Sequence, residues 1–214
     1  MNQIMIRICC VIIGYFCGCF LPACVIARIY TGKDISEIGM YGNPGMANVM
    51  SNIGFFPGIL VLLGDLSKTV IAVTISWNLF HQEIGDLVYL YAGTGACLGH
   101  CYPFWRHFKG GKAVTTICAT IILYSFPIGV ISSLLGFAVV LLFHFLSIGG
   151  ALIPVFFAIL SFLFLNPEAG WIGVFLSVLA LIRHSGAMKK DLSGDGKKTD
   201  LLGKVRKKTE QNQT

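Results

Sequence analysis

Glycine, asparagine and basic residues gather at two places in this chain, and both have the makings of an anion-holding turn. The first is Gly39-Met40-Tyr41-Gly42-Asn43-Pro44-Gly45-Met46-Ala47-Asn48-Val49. The second is Gly99-His100-Cys101-Tyr102-Pro103-Phe104-Trp105-Arg106-His107-Phe108-Lys109-Gly110-Gly111-Lys112-Ala113. Glycine lets a backbone curl until successive N–H groups face one anion, and a helix starting near Ala113 would bring its positive end to the same point. Lys109 and Lys112 could then supply full charge. The chemistry suits a phosphate held at a membrane surface. A flexible basic turn has the same composition, and a Gly-Gly-Lys triplet here lacks the strand and helix context of a nucleotide-binding loop.

Further polar groups stand inside apolar runs. Asp65 and Lys68 are three residues apart, which puts them on one helix face, where they can pair away from lipid either for packing or for function. His144 closes one apolar stretch as a helix cap or a charged partner, and Arg183 with His184 ends another, where a snorkelling arginine is ordinary. Cys97, His100 and Cys101 have the helical spacing of three metal ligands, but no fourth ligand follows at a secure spacing, so neither a metal nor a cofactor is expected. Tyr102, Phe104, Trp105 and Phe108 read as an interfacial aromatic belt, with no nucleic-acid partner expected.

The elements that must position these groups are membrane helices. Of 214 residues, 55% are hydrophobic and 12% charged, with a mean hydropathy of +0.76, too apolar for a soluble domain with a charged surface. With about 20 apolar residues needed to span a bilayer, the candidate spans are Ile8–Ala27, Ile53–Leu79, Leu87–Pro103, Val114–Ser132, Leu134–Phe145, Ile148–Leu165 and Trp171–Ile182. The expectation is an all-α polytopic helical bundle of about seven spans, with a break near Ser132 where Pro127, Gly129 and Gly136 interrupt one long apolar stretch. Arg28, Lys33, Arg106, Lys109, Lys112 and the C-terminal tail fall on one side of such a bundle, and Glu83, Asp86 and Glu168 on the other. The positive side is cytoplasmic by the charge rule, which places the N-terminus outside and the C-terminus inside. Residues 1–188 form the membrane domain in this reading and residues 189–214 a basic cytoplasmic tail beside anionic headgroups.

Four elements, in order, carry a family resemblance: Gly18-Cys19-Phe20-Leu21-Pro22 with Ile26-Ala27-Arg28; Gly42-Asn43-Pro44-Gly45-Met46-Ala47-Asn48; Asp65-Leu66-Ser67-Lys68; and Gly99-His100-Cys101-Tyr102-Pro103 running into Phe108-Lys109-Gly110-Gly111-Lys112. Together they resemble the acyl-phosphate-dependent glycerol-3-phosphate acyltransferases, a bacterial seven-span family that makes lysophosphatidic acid. The resemblance extends from the first span to about Gly194. It implies acyl phosphate and glycerol 3-phosphate as substrates, a bacterial cell membrane as the location, and no cofactor. Protein partners stay unassigned. It also implies site roles: Lys112 and His184 as catalytic residues, and Asn43, Gly45, Asn48, His100, Lys109, Gly110 and Gly111 for substrate phosphate. Five polar positions of the family pattern are altered here: Tyr41 replaces serine, Ala47 threonine, Ser51 arginine, His144 arginine and Ala187 asparagine; Gly196 stands for a glutamate, with Asp195 adjacent. The chain therefore reads as a divergent acyltransferase. The alternative is a non-catalytic membrane relative that binds a phosphorylated lipid or supports a membrane complex.

Overall fold

The first long apolar run does not form one rod. Pro22 has no N–H to donate and holds Leu21 in an extended conformation (φ −113°, ψ 93°), so the helix breaks at Cys19-Phe20-Leu21 into α1 (Gln3–Gly18) and α2 (Pro22–Thr31). In the computed structural model, which describes residues 2–40 and 42–193, there follow α3 (Met46–Asn52), α4 (Phe55–Ile84), α5 (Leu87–Cys101), α6 (Val114–Tyr124), α7 (Phe126–Phe143), α8 (Leu146–Phe164) and α9 (Pro167–Leu192). One-turn 3₁₀ helices at Ile35–Glu37 and Phe104–Arg106 lie in the two connections rich in glycine.

Among the described residues, five helical stretches are long and apolar enough to cross a membrane: Gln3–Thr31, Phe55–Ile84, Phe126–Phe143, Leu146–Phe164 and Pro167–Leu192. The protein is thus an all-α polytopic membrane bundle. Two of the seven expected spans, α5 with 15 residues and α6 with 11, fall below that length. Other boundaries move as well. The break expected near Ser132 lies at Ser125 instead, and α7 runs unbroken through Ser132 and Gly136, because Pro127 sits in its first turn, where a missing N–H costs nothing. Gly129 and Gly136 do not interrupt α7 because they serve packing: a Cβ at Gly129 would overlap the backbone at Ile121 and Ile122 of α6, and one at Gly136 the side chain of Ile153 of α8. The last helix extends both ways beyond Trp171–Ile182. Asn166 caps its start by accepting from Ala169 N (2.9 Å), and its end at Leu192 lies past the expected domain edge at residue 188.

Close helix contact at the centre sets the frame for the site. Gly14 and Gly18 of α1 lie against the backbone of Ala92 and Ala96 of α5, while Gly95 and Gly99 of α5 lie reciprocally against Val11 and Tyr15 of α1. Small residues on both helices let the backbones touch, the usual means of tight association in lipid. On its other faces α5 packs into a core with Ile117 of α6, Phe157 of α8 and Leu176 of α9. The outer sides of the bundle expose Phe126, Leu134, Leu142 and Phe143 of α7, as a lipid-facing surface does.

Candidate active site

The second glycine-rich connection folds back to cap the helix that leads into it. A helix leaves its last carbonyls without partners; here Cys101 O accepts from Gly110 N (3.0 Å) and His100 O from Gly111 N (2.9 Å). The glycines are needed for this approach, since a Cβ at Gly110 would overlap His100 O and one at Gly111 the His100 ring. The expectation that their N–H groups face an anion is corrected here: both groups are engaged with α5. Their carbonyls are held too, Gly110 O by Arg183 Nη2 (2.7 Å) and Gly111 O by Arg183 Nε (3.0 Å), with the guanidinium carbon 5.1 Å from the centre of the Tyr102 ring. Between the two ends of the loop, His107 and Phe108 hold left-handed conformations (φ 52° and 59°), and Ala113 a third (φ 56°) just before α6. Such angles in non-glycine residues cost about 1 kcal/mol or more each and persist only where the surroundings impose them.

The first connection is built around Asn48. Its side-chain amide donates to Ile38 O (2.9 Å) and Asn43 O (3.0 Å), drawing the two ends of the turn together, and its carbonyl and side-chain oxygens accept from Asn52 (both 2.9 Å). Asp34, which caps the 3₁₀ turn by accepting from Ser36 N (2.9 Å), binds Arg106 of the second connection through two parallel bonds of 3.0 Å. The Arg106 guanidinium, and next the Ser36 backbone, hold the Asp34 carboxyl well below the usual carboxylate range. Trp105 Nε1 donates to Cys19 O at the helix break (2.8 Å), so both connections are tied to the same end of the bundle.

Between them lies a cavity of about 830 Å³. Ser36, Gly42, Asn43 and Pro44 line it from the first connection, and Trp105, Arg106, His107, Lys109, Gly110 and Lys112 from the second. The third wall is one face of α9: Arg183, Gly186, Ala187 and Lys190, at helical spacing. Among the described residues, five that line it are cationic, Arg106, Lys109, Lys112, Arg183 and Lys190, and none is a carboxylate. Burial pulls the Lys112 ammonium below the ordinary lysine value, opposed by the charge of Asp191, which Ser147 Oγ contacts from α8.

A second polar cluster lies behind the loops. Lys68 Nζ is 2.8 Å from Asp65 Oδ1, 2.7 Å from His100 Nδ1 and 2.9 Å from Phe20 O, and all three side chains are at most 3% exposed. The Asp65–Lys68 spacing announced the pair; its third member, from another helix, was not legible.

Of the residues singled out from the sequence, the structure brings Asn43, Lys109, Gly110, Lys112 and Ala187 to the cavity wall. Gly45, Asn48, His100 and Gly111 lie in or directly behind the two loops, outside the lining. His184 is 1% exposed, with Nδ1 2.8 Å from Ala180 O. A carbonyl can only accept, so Nδ1 carries the proton in the neutral ring and Nε2 is left towards Gly150 of α8. His144 is exposed and ends α7 in a left-handed cap (φ 60°), outside the cavity lining; Ala47 and Ser51 are also outside it. Tyr41, Asp195, Gly196 and the remainder of the tail lie outside the described residues. Arg183, Lys190, Ser36 and Gly186 were missed as site residues. Only Arg183, Ala187 and Lys190 carried a usable signal, their i, i+4, i+7 spacing on one face.

Residues 8–194 match the family profile described as glycerol-3-phosphate acyltransferase. The chain is 34% identical over 197 residues to glycerol-3-phosphate acyltransferase 1 of Lactobacillus johnsonii, covering 92% of this chain and 94% of the relative. It is 32% identical over 191 residues to the glycerol-3-phosphate acyltransferase of Thermotoga petrophila, covering 89% and 95%. Among solved structures it is similar to PlsY (YgiH), an integral membrane glycerol 3-phosphate acyltransferase. The glycerol 3-phosphate form of that protein superposes with a TM-score of 0.80 at 25% identity, covering 93% of this chain and 98% of the other, and the lysophosphatidic acid form with 0.76.

Proposed function

We propose, for a chain that belongs to the glycerol-3-phosphate acyltransferase family, that it transfers the acyl group of an acyl phosphate to glycerol 3-phosphate in a bacterial cell membrane. The observation that carries this reading is the cavity lined, among the described residues, by five cations and no carboxylate, at the end of a membrane bundle. Both substrates are phosphorylated, and charge-assisted hydrogen bonds contribute about 1.5 to 3 kcal/mol each where water is excluded.

The hydroxyl oxygen of glycerol 3-phosphate attacks the carbonyl carbon of the acyl phosphate. The new C–O ester bond forms, the bond from that carbon to the phosphate oxygen breaks, and inorganic phosphate leaves with its electron pair. The hydroxyl proton ends on the phosphate, so lysophosphatidic acid and phosphate account for every atom. Lys112 is assigned to the oxygen on which negative charge develops, because it is half-buried, lines the cavity and directly follows the Gly110-Gly111 turn that is pinned to α5. Lys109, Arg106, Lys190 and Asn43 are assigned to the substrate phosphates. Gly45, Asn48, His100, Gly110 and Gly111 shape the loops that present them. His184 is assigned a positioning role behind Lys112, in keeping with its burial.

We further count α5 and α6 as spans, for a total of seven. Most of α5 is buried among other helices, so the bilayer thickness does not dictate its length. The cavity end is assigned to the cytoplasm from the distribution of Arg28, Lys33 and the loop lysines. Labelling of a Lys33→Cys variant, with the native cysteines removed, by an impermeant reagent in sealed cells would reverse that orientation. For the reaction, purified protein in detergent with a long-chain acyl phosphate and glycerol 3-phosphate is expected to form lysophosphatidic acid and inorganic phosphate in equal amounts. Binding of both substrates without either product would favour the non-catalytic alternative.

A further inference from the structure

The buried cluster of Asp65, Lys68 and His100 has no part in the cavity wall, yet its contacts reach the α1–α2 break at Phe20, the end of α5 and the second glycine-rich loop at Gly111. We propose that Lys68 is a positioning residue: its ammonium holds His100 with a bare Nδ1 and a protonated Nε2, and so sets the seam at which the two glycine-rich loops meet.

The chain of contacts starts with the three protons of the ammonium. Lys68 Nζ donates to Phe20 O at 2.9 Å and lies 2.7 Å from His100 Nδ1, with Asp65 Oδ1 2.8 Å away as its ion-pair partner. An ammonium cannot accept a hydrogen bond, so Nδ1 of His100 must. The competing partner of Nδ1, Asp65 Oδ1, is farther away at 3.4 Å. The proton of the neutral ring therefore sits on Nε2, the atom against which Gly111 packs; a Cβ on Gly111 would overlap Nε2 and also come within 2.8 Å of Pro44 O. Pro44 belongs to the first loop and Gly111 to the second, and the main chain of His100 itself accepts from Gly111 N (2.9 Å). One ammonium thus links the α1–α2 break at Phe20, the end of α5, and the junction of both loops. Neither Lys68 nor Asp65 lines the cavity, so Lys68 acts on turnover indirectly, and the proposed route is His100. Burying a charged pair is expensive and gives little stability by comparison with apolar packing, which fits a role in specifying geometry.

The consequence for turnover rests on the acyltransferase reading; the protonation state of the ring does not. The test uses full-length protein labelled with ¹⁵N-histidine in micelles near neutral pH, and two-bond ¹H–¹⁵N correlations of its five histidines. His100 is assigned by its loss in His100→Gln or, should that variant not fold, by elimination with variants of the other four. The expected spectrum shows a bare Nδ1 and a protonated Nε2. A proton on Nδ1, or on both nitrogens, in the wild type overturns the proposal whether or not the protein turns over. The charge-free pair Asp65→Asn/Lys68→Met, which leaves no unpaired buried ion, is expected to lose the single tautomer; an unchanged spectrum in that folded variant also overturns it. In the acyl-transfer assay, Lys68→Met is expected to lower kcat/KM about tenfold to a hundredfold, the usual scale for groups that orient a site residue. Combining it with His100→Gln should add nothing further, whereas independent, multiplying losses would assign Lys68 a merely structural role.

Discussion

The two ends of the bundle treat charge in opposite ways. Near the starts of α1 and α9, Arg7 meets Glu168 in two hydrogen bonds (2.7 and 3.2 Å), Tyr91 Oη donates to the same carboxylate (2.7 Å), and the guanidinium lies over the Tyr91 ring. There one cation answers one anion. Fifteen residues further along α9, roughly 22 Å at the helical rise, Arg183 and Lys190 join Arg106, Lys109 and Lys112 around a cavity that no carboxylate lines among the described residues. Asp34 and Asp191 stand behind that wall, steering individual cations without cancelling the field inside. Matched charge fastens helices together. Charge of one sign gathered in a concave site repels itself and costs stability, and it is retained where an anionic ligand supplies the missing partner.

Substitutions at the two ends should separate these roles. The largest effect is expected for Lys112→Ala, which should lower kcat/KM for acyl transfer about a hundredfold and weaken binding of glycerol 3-phosphate or an acyl-phosphate analogue ten- to a hundredfold, the scale of a lost charge-assisted hydrogen bond. Titration calorimetry in detergent at two salt concentrations checks the binding arm; equal affinities in a folded variant would remove Lys112 from the anion site. Next comes Arg183→Lys. A lysine has no planar fork for the carbonyls of Gly110 and Gly111, so despite its retained charge we expect about a tenfold fall in kcat/KM. Wild-type kinetics in this variant would show that the grip on the loop does not matter to turnover.

At the paired end the expectation inverts. Glu168→Gln should leave kcat/KM unchanged below the unfolding range while destabilising the protein by about 1 kcal/mol, a partly exposed pair being worth no more. That corresponds to a fall in Tm of about 2–4 °C for a chain of this size, read by thermal unfolding in detergent. A loss of activity without a loss of stability would erase the contrast between the two ends.

The smallest effect belongs to the Asp34–Arg106 pair, which stands between the two regimes. The folded state holds the Asp34 carboxyl below the ordinary value of about 3.9. Its contribution to stability is therefore complete above about pH 4, and it drains away as the pH falls towards the lower folded-state value. Asp34→Asn should lower Tm by a small, constant amount between pH 5 and 7, estimated at about 2 °C, and the gap from wild type should narrow below about pH 4. A gap that widened on acidification would mean that the carboxylate does not stabilise the fold through Arg106.

Much of this protein is written in local chemistry. Hydropathy alone places the chain in a membrane, because about 20 apolar residues have few other destinations; the three-residue step from Asp65 to Lys68 foretells their pairing, and the Gly110-Gly111-Lys112 run marks a stretch that reaches the cavity wall. Spacing along one element is enough for such inferences, since the helix period decides which neighbours share a face. It could not say that α1 ends at Gly18, that Gly110 and Gly111 spend their N–H groups on α5, or that His144 stays outside the cavity while Arg106, Arg183 and Lys190 enter it. The membership of the cavity depends on partners more than seventy residues away, such as Arg183 on the Gly110 and Gly111 carbonyls or Arg106 on Asp34. Long side chains have many rotamers and no fixed direction of their own, so only the packing of α5, α9 and the two loops decided which cations face one space.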